Sequence, residues 1–186
     1  MILPIYLYGQ PILRKKTKDI SPDYPDLKIL LDNMFETMYK ADGVGLAAPQ
    51  IGREDRILVI DLSPYAKDDP SFMGYKKVFI NARIIERDGE EANVEEGCLS
   101  VPGIHENVPR KNRIRIQYLD ENLHPRDEVY EGFRARVIQH EYDHLEGIVF
   151  VDHLLGIRKQ MIRSKLNKII KGEVNCSYKV KAVSKK

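Results

Sequence analysis

Three runs rich in Val, Ile and Tyr punctuate the middle of this chain: RILVID from Arg56, KVFINARII from Lys77 and RIRIQYL from Arg113. Such runs read as strands, because branched and aromatic side chains pack well on a pleated surface. Turn-forming residues lie between them, and Asp120-Glu121-Asn122 with Pro125 leads into a further short strand near Glu128 to Tyr130. Parallel neighbours need a long crossover, usually a helix, and no helical pattern intervenes. The expectation is therefore antiparallel pairing and an α+β layout rather than a doubly wound sheet.

Helical patterns flank the strands. Leu27, Leu30, Leu31, Met34, Phe35 and Met38 recur on one face of an amphipathic helix. Asp23, Pro25 and Asp26 suit its first turn and Gly43 its end. From about Gly132 the pattern turns helical through His144 to Gly147, and a last helix is expected over Leu155 to Lys171. The basic residues of that last helix, Arg158, Lys159, Arg163, Lys165, Lys168 and Lys171, predict a solvated face, and the closing VKAVSKK predicts a frayed tail. Ser63 to Lys77 has the Pro, Gly and Asp content of a surface loop. The fold expected is α+β: small antiparallel β-sheets packed around a central helix carrying HEYDH, with an N-terminal amphipathic helix and a C-terminal helix. A length of 186 residues with 42% hydrophobic content favours one domain over 1–186, with a basic tail from about residue 172.

Composition narrows the function classes. A formal charge of +2 demands neither nucleic acid nor an acidic membrane as partner. No apolar run approaches the roughly 20 residues of a membrane span, and no secretory or transit pattern opens the chain. Two cysteines, Cys98 and Cys176, make a disulfide framework a poor reading and the cytoplasm the expected compartment.

The chemistry concentrates in HEYDH, residues 140–144, in a chain with five histidines. On a helix, His140 and His144 stand one turn apart on the same face and can meet one metal ion. Glu141 is rotated far enough to reach a water at that ion without displacing either ligand, which suits a general base in metal-assisted hydrolysis. A hydrolytic centre generally has three protein ligands and an open position. The downstream candidates are Glu146, His153 and Glu173; upstream, Cys98 in the turn EGCLS is a better one, since a thiolate with two imidazoles leaves a fourth position open. A third run, GVGLAAPQ from Gly43, is at its plainest a helix end and a turn. Its small residues also permit close backbone approach, and Gln50 can donate to a developing oxyanion.

Together GVGLAAPQ, EGCLS and HEYDH resemble the signature of the peptide deformylase family, in the family's order and without a mismatch. The resemblance implies that Cys98, His140 and His144 hold one divalent metal, Fe(II) natively and zinc or nickel in some purified proteins. It implies that Glu141 is general base and later proton donor, that the Gln50 amide and the Leu99 N–H polarise the formyl oxygen, and that Gly45 lines a peptide groove. The implied reaction removes the N-formyl group from the initiator methionine of nascent polypeptides and releases formate. Phe133 and Val137 share the helical face of the two histidines and, with Val44, are expected to enclose the methionine side chain. Glu96 and Arg110 look like a pair that buttresses the cysteine loop. Arg136 stands where relatives have an apolar residue, placing a charge at the expected pocket rim, and His105 reads as a solvated loop histidine. Two rival readings are an endopeptidase, which needs a downstream third ligand, and a non-catalytic peptide-binding or ribosome-associated module. Relatives also suggest docking to the ribosome through the basic last helix, with no membrane and no specific DNA as partner.

Overall fold

The structure, a computed structural model, describes residues 1–183. The elements in chain order are β1 (Ile5–Tyr6), α1 (Leu27–Lys40), β2 (Gly45–Ala47), β3 (Ile57–Asp61), β4 (Lys76–Cys98), β5 (Val101–Leu119), β6 (Pro125–Glu131), α2 (Gly132–Leu145), α3 (Gly156–Ile170) and β7 (Val180–Lys181). Strands β2 to β6 form one antiparallel sheet in sequence order, and β1 pairs in parallel with β7. The α+β arrangement, its antiparallel main sheet and its three helices agree with the sequence reading.

The core follows from β3, whose five residues ILVID are all buried. A continuous apolar run of this kind belongs to a strand covered on both faces. Leu58 and Ile60 point to the side where α2 contributes Ala135, Ile138, Tyr142 and Leu145. Ile57 and Val59 point to the other, where α1 brings Leu30, Leu31, Met34, Phe35 and Met38. The stripe read on α1 is therefore core, each such side chain contributing roughly 1.5–3 kcal/mol on full burial. At its start Asp26 makes no side-chain cap and takes a left-handed conformation instead, while at its end the Gly43 N–H donates to the Met38 carbonyl at 3.0 Å. Just ahead of β3, Arg56 is wholly buried, donating to the Ala82 carbonyl at 2.7 Å and the Tyr142 hydroxyl at 3.0 Å and pairing with Glu146. It pins the last turn of α2 to the sheet.

Two expectations are revised. The strands flanking the EGCLS turn are longer than expected and take in the loop expected at His105: β4 and β5 run 23 and 19 residues and close through the two-residue turn Leu99–Ser100. Register shifts between Ile84 and Glu86, between Asp88 and Glu91 and at Gly97/Cys98 interrupt the ladder of this hairpin, and irregularities of this kind bend and twist a strand locally. The end of the chain is not frayed as far as it is described, because Val180 and Lys181 lie beside Ile5 and Tyr6; residues 184–186 of the expected tail lie outside the described residues. The 63–77 segment is largely the expected loop, carrying two short 3-10 turns. On α3, Ile162, Leu166 and Ile169 pack inward and its Lys and Arg residues face solvent.

Candidate metal centre and active site

Helix α2 runs through the interior, with every residue from Ala135 to Leu145 buried. A buried helix this polar needs partners for its side chains, since an unmet polar group costs about 1–3 kcal/mol. His140 and His144 sit one turn apart with ring centroids 5.4 Å from each other. The hairpin turn brings Cys98 to them, its Sγ 3.3 Å from His144 Nε2. One ligand atom from each of Cys98, His140 and His144 lies within 4.8 Å of the others.

This donor set fits a metal ion. Zinc binds sulfur at about 2.3 Å and imidazole nitrogen at about 2.0–2.1 Å, so three donors this close can share one cation and leave a fourth direction free. Burial pushes the Cys98 thiol up, but the facing His144 and His140 outweigh it and hold the thiol down at about 5, ready as a thiolate. His140 turns its Nδ1 to Glu96 Oε2 at 2.8 Å, which orients the ring with Nε2 toward the cysteine side.

Glu96 is the hub behind the ligands. Arg110 grips it with Nε to Oε1 at 2.6 Å and a second nitrogen to Oε2 at 3.0 Å, the buttress expected from the sequence. Arg136 adds a contact at 2.9 Å and donates to the Val108 and Ala92 carbonyls. Arg110 also bonds Asp143 at 2.8 Å, and Asp143 meets His153 at 2.7 Å. Burial works against the Glu96 carboxylate, but His140 and Arg110 hold its pKa well below the usual carboxylate range. Arg136 thus turns away from the methionine side into this network, which corrects its placement at a pocket rim. The roles of Arg136, Asp143 and His153 were not legible in the sequence, where charged helix residues ordinarily face solvent. The network also removes the endopeptidase reading's ligands: His153 is held by Asp143, Glu146 pairs with Arg56, and Glu173 is exposed.

Glu141 is the exception to this pairing. It is buried, and its Oε2 has no hydrogen-bond partner among the described residues; His144 Nδ1 shares that condition. Burial pushes its carboxyl up to about 7 despite the nearby histidines. Strand β2 lies directly against it. A Cβ on Gly45 would stand 2.7 Å from Glu141 Cγ and 2.8 Å from Cδ, so only glycine lets the backbone approach this closely.

Most of the remaining predicted residues line one cavity of about 550 Å³, among them Val44, Gly45, Gln50 and Leu99, together with His140 and Glu141. Gln50 is almost wholly buried. Its Oε1 accepts from the Ala47 N–H at 2.8 Å, which aims Nε2 at Ser100 Oγ at 3.3 Å and Cys98 Sγ at 3.6 Å. Leu99 occupies the hairpin turn. Val137 is buried in the cluster against which Val44 packs and does not line the cavity. Phe133 is also outside the lining, but its ring meets that of Tyr65, a cavity residue from the 63–77 loop, with centroids 5.1 Å apart. His105 is on β5 rather than in a loop; it is exposed, with its ring over Gly97 and facing the cavity. Residues Asn175 to Tyr178 also line the cavity, and no motif in the sequence signalled them.

The polypeptide deformylase family model matches residues 2–160. This chain belongs to that family. Deformylases are hydrolases, and the chain is an enzyme of that class. The peptide deformylase of Christiangramia forsetii is 52% identical over 97% of this chain and 96% of its own length. That of Flavobacterium johnsoniae is 47% identical over 100% of this chain and 98% of its own. Among solved structures, a peptide deformylase from Legionella pneumophila superposes with a TM-score of 0.81 at 38% identity, covering 93% of this chain and 98% of that one. Family membership excludes the non-catalytic module. No helix among the described residues is long and apolar enough to cross a membrane.

Proposed function

We propose that residues 1–186 form one deformylase domain that hydrolyses the N-formyl group of formyl-methionine at the start of nascent polypeptides in the cytoplasm. Cys98, His140 and His144 hold the metal, with Fe(II) as the native ion and zinc or nickel as substitutes. A divalent ion in that site supplies Lewis acidity, bringing the pKa of water toward about 7.

The chain's own groups carry the proton and the charge. Glu141 Oε2 takes a proton from the attacking water as its oxygen joins the formyl carbon. The carbonyl oxygen gains charge, and the Gln50 amide and the Leu99 N–H donate to it; one such donor contributes about 2.7–4 kcal/mol to a transition state. As the C–N bond breaks, Glu141 delivers the proton to the departing nitrogen, leaving formate and a free α-amine. Gly45 offers backbone to the peptide, while Val44, Val137 and Phe133, the last through Tyr65, shape the methionine side of the cavity. The solvated basic face of α3 is a surface suited to ribosomal RNA.

What supports this reading most directly is the buried Glu141 Oε2, without a hydrogen-bond partner among the described residues, beside three converging ligand atoms at an open cavity. The test is formate release from a formyl-Met tripeptide by anaerobically purified protein, with metal content measured on the same sample. Turnover is expected with the formylated peptide and not with its unformylated form. Glu141→Gln is expected to lose about 10²–10⁴-fold in kcat while keeping its metal. Equal turnover by that variant, or cleavage of unformylated peptides, refutes the assignment.

A further inference from the structure

Beyond α3 the chain returns to the active site. Val180 and Lys181 pair with β1, and the Gln10 side-chain amide donates to the Ala182 carbonyl at 2.6 Å. These anchors stretch Asn175 to Tyr178 along the cavity that the signature residues Gly45, Gln50, Leu99 and Glu141 also line, past the 2–160 region that the family model matches. The half-buried Tyr178 donates its hydroxyl to the Leu99 carbonyl at 2.7 Å. The adjoining Ser100 is held twice, its carbonyl by the Tyr8 N–H at 2.8 Å and its hydroxyl by Gln50 Nε2 at 3.3 Å. Among the described side chains, Tyr178 is the one that fixes the Leu99 carbonyl.

We propose that Tyr178 is a positioning residue for deformylation: by holding the Leu99 carbonyl it sets the orientation of the turn that presents the Leu99 N–H to the formyl oxygen. The inference rests on the deformylase reading and on the role given to Leu99 there. A two-residue turn can rock about its flanking bonds, and a donor to a developing oxyanion works only when it is aimed before charge appears. Half-buried beside the cavity, the phenol has its pKa raised by desolvation, so it stays a neutral donor across the working range. Misplacement by about 1 Å at a reacting centre costs up to about 10²-fold in rate. With Gln50 still in place, loss of the Tyr178 hydroxyl is expected to cost about tenfold.

The experiment compares wild type and Tyr178→Phe as metal-loaded full-length proteins on a formyl-Met tripeptide, with Tm, metal content and amide hydrogen exchange measured in parallel. The isosteric ring keeps the packing. The expected result is a kcat lower by about tenfold, a KM changed less than about twofold, unchanged metal content, and faster exchange confined to the peptide spanning Gly97 to Val101. An unchanged kcat overturns the proposal, as does a loss of kcat that tracks lost metal, and so does unaltered exchange at the turn. If wild type itself releases no formate, the deformylase reading fails first and this inference with it. An active wild type with an equally active Tyr178→Phe overturns this inference alone.

Discussion

A single carbon atom separates the glycine at position 45 from an alanine. Its missing Cβ is the space in which the Glu141 carboxyl stands, so Gly45→Ala is expected to push that carboxylate aside and lower kcat by about tenfold or more, with metal content unchanged. Steady-state kinetics on a formyl-Met peptide beside metal analysis checks it. The base proposed here, Glu141, is expected to set an acid limit on activity. As a base it must be ionised, and burial raises its pKa to about 7, which a bound cation can only lower. The kcat/KM profile should therefore lose activity as pH falls through a midpoint at or below about 7, and an acid limb centred near 9 would assign the base elsewhere. At this scale the sequence was partly legible: His140 and His144 share a face as their i and i+4 spacing suggests, whereas Cys98, far away in the chain, was matched to them by donor chemistry and the family resemblance, and the structure brings the three together. Arg136 was not legible, because nothing local says whether a helical arginine meets water or a buried carboxylate.

Among the elements, α2 is held by what surrounds it. Its His140, the proposed ligand, is oriented by Glu96, and Glu96 by Arg110 from β5 and Arg136 one turn earlier on the same helix. Arg136→Met removes one of the cations and leaves the Val108 and Ala92 carbonyls without their donor. Metal affinity is expected to fall about 10–100-fold, read by competition with a chromogenic chelator. If Arg136 were a rim residue, only KM for the peptide would move. Helix α1 makes a contrasting case. Met34 is wholly buried between α1 and β3 and touches no chemistry, so Met34→Ala is expected to cost about 2–5 kcal/mol in denaturant unfolding with kcat unchanged once folded. The β4–β5 hairpin shows why some elements escape a sequence reading. On β4, Ile85 to Glu95 are largely charged and bury little, so ladder hydrogen bonds shape that stretch without any hydrophobic alternation.

For the molecule as a whole, metal and acid act on the same buried network. Removing a metal present at 100 times its Kd takes away about 2.7 kcal/mol, which in a chain of this size lowers Tm by roughly 5–10 °C. Differential scanning fluorimetry with and without a chelator measures it, and an unchanged Tm would mean the three ligands hold no ion. Glu96 has a depressed pKa in the folded state, so the stability it adds is present in full above its ordinary value of about 4.3 and drains away as pH falls below it. Glu96→Gln should flatten that part of the Tm against pH curve. The sequence alone determined the α+β class, the antiparallel main sheet, the helices and the shared face of His140 and His144, since periodicity and short spacings act over a few residues of chain. Only the tertiary structure decided the long hairpin, the burial of Arg56 and Arg136, and the return of the C-terminal segment that sets Tyr178 against Leu99. Those features join residues up to 175 positions apart, and such contacts depend on which surfaces meet once the core has closed.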